Sequence, residues 1–385
     1  AETESLRNRT IEDHVAQISR NDVYDKNLNF LIGSGASAGL LPTLSLELED
    51  GYTGYKHTIE TLATYFSEDP QVGSMIFSYY VKNVIKPAVE FDPYDQSKLS
   101  PKGVEVLENY NRFIETIIAL MRRKDSFKRA NVFTTNYDGM IAHVAEQILQ
   151  NRGQDFVLND GGIGFQKRTL QTRAFSRYTK DQGVFDRHEI SIPQINLIHL
   201  HGSVYWYKMN DSIEICYDRE RAVARIADVP IVKDQEYDEA FENPEFTEDD
   251  VEKIDFVESE KTVEKFWKAY KELPIVNPTK WKFHETVFEE HYYQALRLLS
   301  YELERPNSVF IVFGFSFADE HILNLVRRSL SNPSLQVYLC CFSDETKDDL
   351  DEKFEGYPNV KLLRVDGQLN FTAFNEEIFS ANPET

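Results

Sequence analysis

The sequence has few cysteines and no long apolar run. Its 385 residues include only three cysteines, of which Cys340 and Cys341 are adjacent in an apolar stretch. This number excludes a disulfide framework and predicts buried thiols in a reducing compartment. No apolar stretch approaches the roughly 18 residues of a membrane span, and the polar residues 1–8 lack the core of a signal peptide. We therefore expect a cytoplasmic protein without membrane association.

Positive charge is also scarce. Lysine and arginine number 42 against 64 acidic residues, and the formal net charge is −22. Because phosphate neutralisation requires clustered cations, this balance disfavours autonomous nucleic-acid binding. From Asp234 to Glu260 the chain has 13 acidic residues and one lysine, which is more than half of the excess. We interpret this stretch as a solvated, mobile insertion.

Apolar residues make up 41% of the chain, which predicts a globular protein, and many lie in short β-rich runs. Segments with helical spacing separate several runs, and one such helix is predicted to end near Arg122. Because the runs are nearly continuous rather than alternating, they indicate an α/β fold: a Rossmann-like parallel sheet with helices on both faces. The six runs are residues 29–32, 131–135, 195–201, 308–315, 335–342 and 360–365.

Three stretches do not follow this alternation. Residues 44–101 are predicted to be helical, residues 151–193 are rich in Arg and Lys, and residues 204–282 contain the acidic run. No linker rich in Pro, Gly or Ser divides the chain. We therefore expect one domain over residues 1–385, with these stretches as helical, basic and acidic insertions.

The first run ends in a glycine turn, formed by Gly33, Ser34, Gly35, Ala36 and Ser37. Glycine can adopt backbone angles closed to other residues and leaves no side chain between the main chain and a phosphate. A helix after the turn would direct its positive end at the same phosphate. Because many strand-to-helix turns contain this pattern, it is only a weak indication of nucleotide binding.

Polar residues also follow the second run. Thr135, Asn136 and Asp138 precede a segment with helical spacing. Asp138 is a candidate N-cap of that helix, and it is also a candidate acceptor for a carboxamide. Asn136 is a candidate for orienting a ribose or a water molecule.

The third and fourth runs end in further candidates. His199 and His201 lie on one face of a strand, but only His201 is at its end, before a glycine. We expect His199 to be a core residue and His201 to be either structural or a general base. Gly314 and Ser316 repeat the glycine and hydroxyl pattern, and Asp319 is a candidate helix cap. We assign no role to His321.

The order of these motifs resembles the sirtuin family, whose members bind NAD in a Rossmann-like core. The resemblance rests on the glycine turn, Thr135-Asn136-x-Asp138, His201-Gly202 and Gly314-x-Ser316. It implies that Gly33, Ser34, Gly35, Ala36 and Ser37 hold the pyrophosphate, with Thr135, Gly314 and Ser316 as further cofactor contacts. It also implies catalytic roles for Asn136 at the ribose, Asp138 at the nicotinamide carboxamide and His201 as the base.

The sequence departs from the sirtuin deacylases at two places. Between the His-Gly and Gly-x-Ser motifs it has only Cys216, whereas deacylases carry two Cys-x-x-Cys pairs for zinc. It also lacks the Phe and Arg that follow the deacylase glycine turn. We therefore expect no zinc or other metal. The pattern is more similar to zinc-free sirtuin-like effectors of bacterial antiphage defence, which hydrolyse NAD and often act beside a HerA-type helicase.

The resemblance therefore implies an NAD⁺ hydrolase that releases nicotinamide and ADP-ribose and depletes NAD during abortive infection. A regulatory or scaffold subunit that binds NAD or ADP-ribose is the main alternative, and an NAD-dependent deacylase or ADP-ribosyltransferase is less favoured. Because unregulated hydrolysis would drain NAD, we expect control through a homo-oligomer or a HerA-type partner.

Overall fold

The structure is a computed structural model that describes residues 18–380 except 53, 55, 96, 98, 125–127, 152–154, 183–188, 233–234, 257 and 276–286. Residues 1–8, on which the expectation of no leader rests, lie outside the described residues. The strands are β1 Asn27–Ile32, β2 Ser45–Glu49, β3 Lys56–Thr58, β4 Arg129–Thr134, β5 Val157–Asn159, β6 Gly162–Ile163, β7 Arg168–Leu170, β8 Lys180–Gln182, β9 Glu189–Ser191, β10 Gln194–His199, β11 Trp206–Met209, β12 Ser212–Ile215, β13 Ser308–Phe313, β14 Gln336–Cys340 and β15 Val360–Leu363.

Helices cover much of the remaining chain. They are α1 Arg20–Val23, α2 Ile59–Tyr65, α3 Pro70–Tyr80, α4 Lys86–Glu90, α5 Pro101–Arg122, α6 Met140–Asn151, α7 Arg219–Ala227, α8 Gln235–Phe241, α9 Glu248–Val251, α10 Glu260–Tyr270, α11 Val287–Glu304, α12 Glu320–Ser329, α13 Asp344–Lys353 and α14 Phe371–Ala373. None of the helices in the described ranges is long and apolar enough to cross a bilayer.

A seven-stranded parallel sheet organises the described part of the chain, in the order β15-β14-β13-β1-β4-β10-β5. The six predicted runs form six of its strands, so the predicted Rossmann-like α/β fold is confirmed. The sequence of strands reverses beside β1, because the chain proceeds to β4 and β10 and then returns to β13. In such sheets ligands bind beyond the carboxyl ends of the strands at this reversal.

Helices cover both faces of the sheet. Residues such as Phe30 and Val132 pack on one face against α5 and α6, and the predicted helix ending near Arg122 is confirmed. Leu31 and Phe133 point to the other face and pack against α11 and α12. Because both faces are covered, the strands are nearly continuous apolar runs.

A ladder of asparagine side chains interrupts this apolar interior. Asn29, Asn131, Asn196 and Asn159 stand in register on β1, β4, β10 and β5. Asn131 donates to Asn29 Oδ1 at 2.8 Å, Asn196 donates to Asn131 Oδ1 at 2.8 Å, and Asn159 donates to Asn196 Oδ1 at 2.9 Å. Each buried amide therefore finds its partner only when neighbouring strands keep this register.

The inserted stretches are more ordered than the sequence predicts. Residues 44–101 begin with the hairpin β2–β3 and are therefore not helical throughout. Residues 151–193 supply the edge strand β5 of the main sheet, which the sequence analysis missed. β6 and β7 from the same stretch form an antiparallel sheet with β11 and β12.

The acidic insertion is folded over its described residues, so its interpretation as a mobile segment is wrong there. Tyr237, Phe241 and Val251 are buried in a second apolar core, which residues 44–101 share. Glu248 is also buried and pairs with His57 at 3.3 Å. Packing of these apolar side chains outweighs the surrounding charge. Asp234 lies outside the described residues, and the expectation of one domain stays a prediction.

We predict that Asn131→Leu lowers the free energy of unfolding by about 2–4 kcal/mol, because it leaves the buried Asn29 Oδ1 and one Asn196 donor without partners. Equilibrium unfolding in urea measures the change. Asn324→Leu, at an exposed position of α12, is the control and should change stability by less than about 0.5 kcal/mol. Equal effects of the two substitutions would contradict a role of the ladder in stability.

Candidate active site

The glycine turn follows β1 as predicted, but no α-helix comes after it. Ser34 to Ser37 form one turn of 3₁₀ helix, and the next regular element is β2. Gly39 has a φ of +93°, and Pro42 lies shortly beyond it. The predicted helix after Ser37 is therefore wrong, because this backbone turns away from a helical path.

The glycines are required by contact between two loops. Gly33 has a φ of −103° and a ψ of −175°, which other residues also adopt, so the expected special backbone angle is wrong at this position. A Cβ at Gly33 would lie 2.3 Å from the Gly314 carbonyl oxygen, and one at Gly35 would lie 2.7 Å from Gly314 Cα. Gly314 itself has a φ of +66°. These three residues let the turns after β1 and β13 touch through their backbones.

A cavity of about 770 Å³ opens at the carboxyl ends of the strands. Its size lies in the upper part of the roughly 300–1,000 Å³ range of small-molecule and cofactor sites. Gly33 lies beneath it, in contact with Gly314, and is not a lining residue. The other predicted site residues all line the cavity: Ser34, Gly35, Ala36, Ser37, Thr135, Asn136, Asp138, His201, Gly314 and Ser316.

A buried polar cluster forms one wall of the cavity. The Ser37 hydroxyl donates to Asp138 Oδ2 at 2.9 Å and lies 2.8 Å from the Tyr110 hydroxyl. Asn136 Nδ2 donates to Ser37 Oγ and to the Tyr110 hydroxyl, at 3.4 Å each. These contacts fix the orientation of the Asn136 amide. The sequence analysis did not single out Tyr110, because no signal distinguishes it from its apolar neighbours on α5.

The other amide atom of Asn136 is left without a partner. Oδ1 is buried and accepts no hydrogen bond in the described structure. Asn136 as a whole is 7% exposed and lines the cavity. Because an unsatisfied buried acceptor is unfavourable, the site is suited to a donor such as a ribose hydroxyl or a water molecule.

Asp138 serves the helix as well as the cluster. Its Oδ1 accepts the backbone N–H of Met140 at 3.1 Å at the start of α6, which agrees with its predicted capping position. Burial raises the pKa of Asp138, and the hydrogen bonds from Met140 and Ser37 partly oppose this rise. Contact with a carboxamide stays a prediction.

His201 lies beyond the end of β10 and is 6% exposed. Its Nε2 is 3.0 Å from Asp319 Oδ2. Because a carboxylate can only accept, Nε2 carries the proton in the neutral ring and Nδ1 keeps its lone pair. Gly202 has a φ of +89° and lets the backbone of Pro274 approach, since a Cβ there would lie 2.0 Å from the Pro274 oxygen. The structure thus pairs His201 with a carboxylate, which sets the tautomer and the orientation of the ring.

Asp319 is the predicted cap of α12, and it has a second function. Oδ1 accepts the backbone N–H groups of His321 and Ile322 at 2.8 and 3.1 Å, while Oδ2 faces His201 and the Tyr292 hydroxyl. Burial raises the pKa of Asp319, but the interactions with His201 and with the helix N–H groups outweigh it, and the net pKa is lowered. Asp319 is therefore held ionised beside the imidazole.

His199 is a core residue, as predicted. Its Nδ1 is 3.0 Å from the Asn136 carbonyl oxygen, and burial lowers its pKa to about 4. His321 is exposed, in keeping with the absence of an assigned role.

Sequence reasoning missed several lining residues that lie outside the strand ends. Glu60 of α2 lines the cavity beside His201 and Asp319, and Lys102 of α5 lines it near Gly39. These residues come from helices whose positions in the fold are not encoded in a local motif. Only the structure shows that they face the site.

Comparison with protein families matches a SIR2-like domain to residues 130–363. The chain belongs to the SIR2-like family. No curated protein matches the chain. Membership confirms the sirtuin-like resemblance and implies the use of NAD. The matched range contains Thr135, Asn136, Asp138, His201, Gly314 and Ser316 but begins after the glycine turn, whose assignment to the pyrophosphate stays a prediction.

The SIR2-like chain has no arrangement of three or more His, Cys, Asp or Glu side chains suited to a metal ion within the described residues. Cys340 and Cys341 are buried and unpaired, as expected for core thiols. Cys216, the cysteine within the region where deacylases hold zinc, is also unpaired. The absence of zinc stays a prediction.

We predict that Gly314→Ala destabilises the protein by about 1–3 kcal/mol, because the new Cβ would lie 2.7 Å from the Ala36 nitrogen in a backbone with positive φ. Urea unfolding measures the loss, and calorimetric titration with ADP-ribose reports the shape of the cavity. Gly356→Ala is the matched control, since Gly356 has a φ of +84° with no atom within 4 Å of the new Cβ. A loss no greater than that of the control would show that the loop contact is not required.

Proposed function

We propose that this SIR2-like protein is an NAD⁺ hydrolase that converts NAD⁺ and water to nicotinamide and ADP-ribose. The observation that carries the proposal is the presence of the His201–Asp319 pair and the unpartnered Asn136 Oδ1 in one cavity beside the glycine turn. A candidate base and a residue with an unpartnered acceptor thus line the same cavity.

The reaction breaks the bond between the ribose carbon and the nicotinamide nitrogen. The electron pair of this bond leaves with nicotinamide, which departs as a neutral molecule and requires no general acid. The ribose carbon acquires cationic character, as in glycoside hydrolysis generally. The protein must therefore position the ribose and a water molecule and accept one proton.

His201 is proposed to accept that proton at Nδ1. As the water oxygen bonds to the ribose carbon, its proton moves to the imidazole, and the resulting positive charge faces Asp319 at 3.0 Å. Asp319 stabilises this charge and holds the ring orientation through Nε2. General-base catalysis of this kind contributes about 10²–10⁴-fold to a rate.

Asn136 is proposed to position the ribose through Oδ1. Its Nδ2 donates to Ser37 and Tyr110, and the buried Oδ1 is the amide atom that has no partner, so Oδ1 is the atom proposed to accept a ribose hydroxyl. Asp138 supports this arrangement through Ser37 and is proposed to meet the carboxamide. The backbone from Gly33 to Ser37, with Thr135, Gly314 and Ser316, is proposed to hold the remaining dinucleotide.

We predict that His201→Ala and Asn136→Ala each lower kcat for nicotinamide release by about 10²-fold or more, because they remove the base and the ribose contact. Asp319→Asn should lower kcat by about 10-fold or more, since an amide does not stabilise the imidazolium. Mass spectrometry of NAD products from the full chain measures these changes. His321→Ala, next to Asp319 but exposed, is the control and should retain activity.

Three results would contradict the hydrolase assignment. If folded His201→Ala and Asn136→Ala are as active as the wild type, these residues have no role in the reaction. Nicotinamide release only after addition of an acylated peptide or an acceptor protein would indicate a deacylase or an ADP-ribosyltransferase. Tight NAD binding without any product, alone and with its partner, would indicate a regulatory or scaffold subunit.

We further propose that the protein depletes NAD in the cytoplasm during phage infection, as a homo-oligomer acting with a HerA-type helicase. The support is the similarity of its motifs to zinc-free sirtuin-like defence effectors. Infected cells that carry the wild-type protein and this partner should lose NAD, whereas cells with His201→Ala should not. Equal NAD loss in both strains would contradict the proposed role.

A further inference from the structure

We propose that Glu60 positions the attacking water opposite His201 and so directs the site toward hydrolysis. This inference rests on the proposed NAD hydrolysis and adds a residue that no sequence motif indicates. The geometry that carries it is the position of Glu60, His201 and Asp319 on the wall of one cavity. Glu60 comes from α2, outside the sheet that supplies the other two.

Hydrogen bonds stabilise the start of α2, the turn that carries Glu60. Thr58 and Thr61 form a reciprocal capping box, in which each side chain accepts the other residue's backbone N–H at 3.2 and 2.9 Å. Thr61 Oγ1 is also 3.0 Å from Nδ1 of the buried His57, whose Nε2 faces Glu248 at 3.3 Å. Glu60 lies between the two capping threonines, so these contacts order the turn of backbone that carries it.

Glu60 interacts electrostatically with groups from several elements. They are His201 after β10, Asp319 before α12, Tyr80 on α3, Tyr137 after β4 and Tyr292 on α11. Burial raises the pKa of Glu60, His201 lowers it, and Asp319 raises it again, with a net rise. The negative charge of Glu60 in turn contributes to the raised pKa values of the three tyrosines.

A water molecule that attacks the ribose carbon has two protons to place. His201 Nδ1 can accept one, and a carboxylate at Glu60 can accept a hydrogen bond from the other, which leaves a lone pair of the oxygen directed at the ribose. During attack the oxygen–carbon bond forms, the carbon–nitrogen bond breaks with its electron pair on nicotinamide, and one proton moves to His201. The carboxylate charge also favours the cationic ribose. Glu60 keeps its hydrogen bond and releases nothing.

We predict that Glu60→Gln lowers kcat for NAD hydrolysis by about 10- to 100-fold while KM changes by less than about 3-fold, because the reacting water is affected more than dinucleotide binding. The pH profile gives a second readout. Because its pKa is raised, Glu60 takes up a proton at a higher pH than an ordinary glutamate does and then loses the charge that the reaction needs. As the pH falls, log kcat of the wild type should therefore decline more steeply than log kcat of Glu60→Gln. Glu68→Gln removes the same charge at an exposed position and should change neither value.

A competing nucleophile separates water positioning from a purely structural role. In buffer with methanol, the ratio of methyl ADP-ribose to ADP-ribose should rise by about 3-fold or more in Glu60→Ala, because the water loses its acceptor while space becomes available. Urea unfolding confirms that each variant is folded. The inference is overturned if Glu60→Gln has the kcat and the pH profile of the wild type. It is also overturned if Glu60→Ala loses rate while its ratio of methyl ADP-ribose to ADP-ribose stays unchanged. If the wild type itself releases no nicotinamide, the proposed function fails, and that result is distinct from either outcome.

Discussion

The candidate site depends on the register of four neighbouring parallel strands. Ile32 pairs with both Thr134 and Phe313, and Thr134 also pairs with His199, so β1, β4, β10 and β13 end at the same level. The loops that follow therefore begin side by side. The asparagine ladder fixes this register on β1, β4 and β10, since a slip of one residue would turn each amide to the opposite, apolar face. A buried polar network here provides specificity of pairing that apolar packing alone does not.

The same side chains that orient the site also begin the helices around it. Asp138 accepts hydrogen bonds from the Met140 backbone N–H at the start of α6 and from the Ser37 hydroxyl in the cavity wall. Asp319 accepts a hydrogen bond from the His321 backbone N–H at the start of α12, and its other oxygen faces His201. Movement of either helix would therefore move a carboxylate in the site. This sharing keeps the groups in place before a substrate arrives, which reduces the entropic cost of reaching a reactive geometry.

The sequence predicts the sheet well because each strand has a local signal. Continuous apolar residues identify six strands, and polar residues just beyond them identify Asn136 and His201. The sequence analysis misses β5, because a strand of three residues is too short to give a recognisable apolar run. The expectation of a special backbone angle at Gly33 is wrong, because the need for glycine there comes from contact with Gly314, a residue distant in the chain. Local patterns report backbone preference, whereas this contact is a property of the assembled sheet.

The inserted elements carry the information that the sequence alone does not reveal. Glu60 lines the cavity from α2, within the inserted residues 44–101, and its role depends on how that helix packs. The buried residues of the acidic insertion are similar, because Tyr237 and Phe241 have helical spacing that a high local charge obscures. Within a charged segment, the spacing of a few aromatic residues predicts folding better than the average composition.

The distribution of charge in the cavity provides a physical reason for one orientation of the proposed substrate. Glu60 and Asp319 line the cavity with His201, whereas Lys102 and Glu105 line it from α5. The nicotinamide end of NAD⁺ is cationic and the pyrophosphate is anionic. Carboxylates attract the first and repel the second. The side of the cavity next to α5, where the positive charge of Lys102 offsets the negative charge of Glu105, therefore repels the pyrophosphate less than the side that holds Glu60 and Asp319. An overall charge of −22 is therefore compatible with a dinucleotide substrate, because the local arrangement of charge decides how it binds.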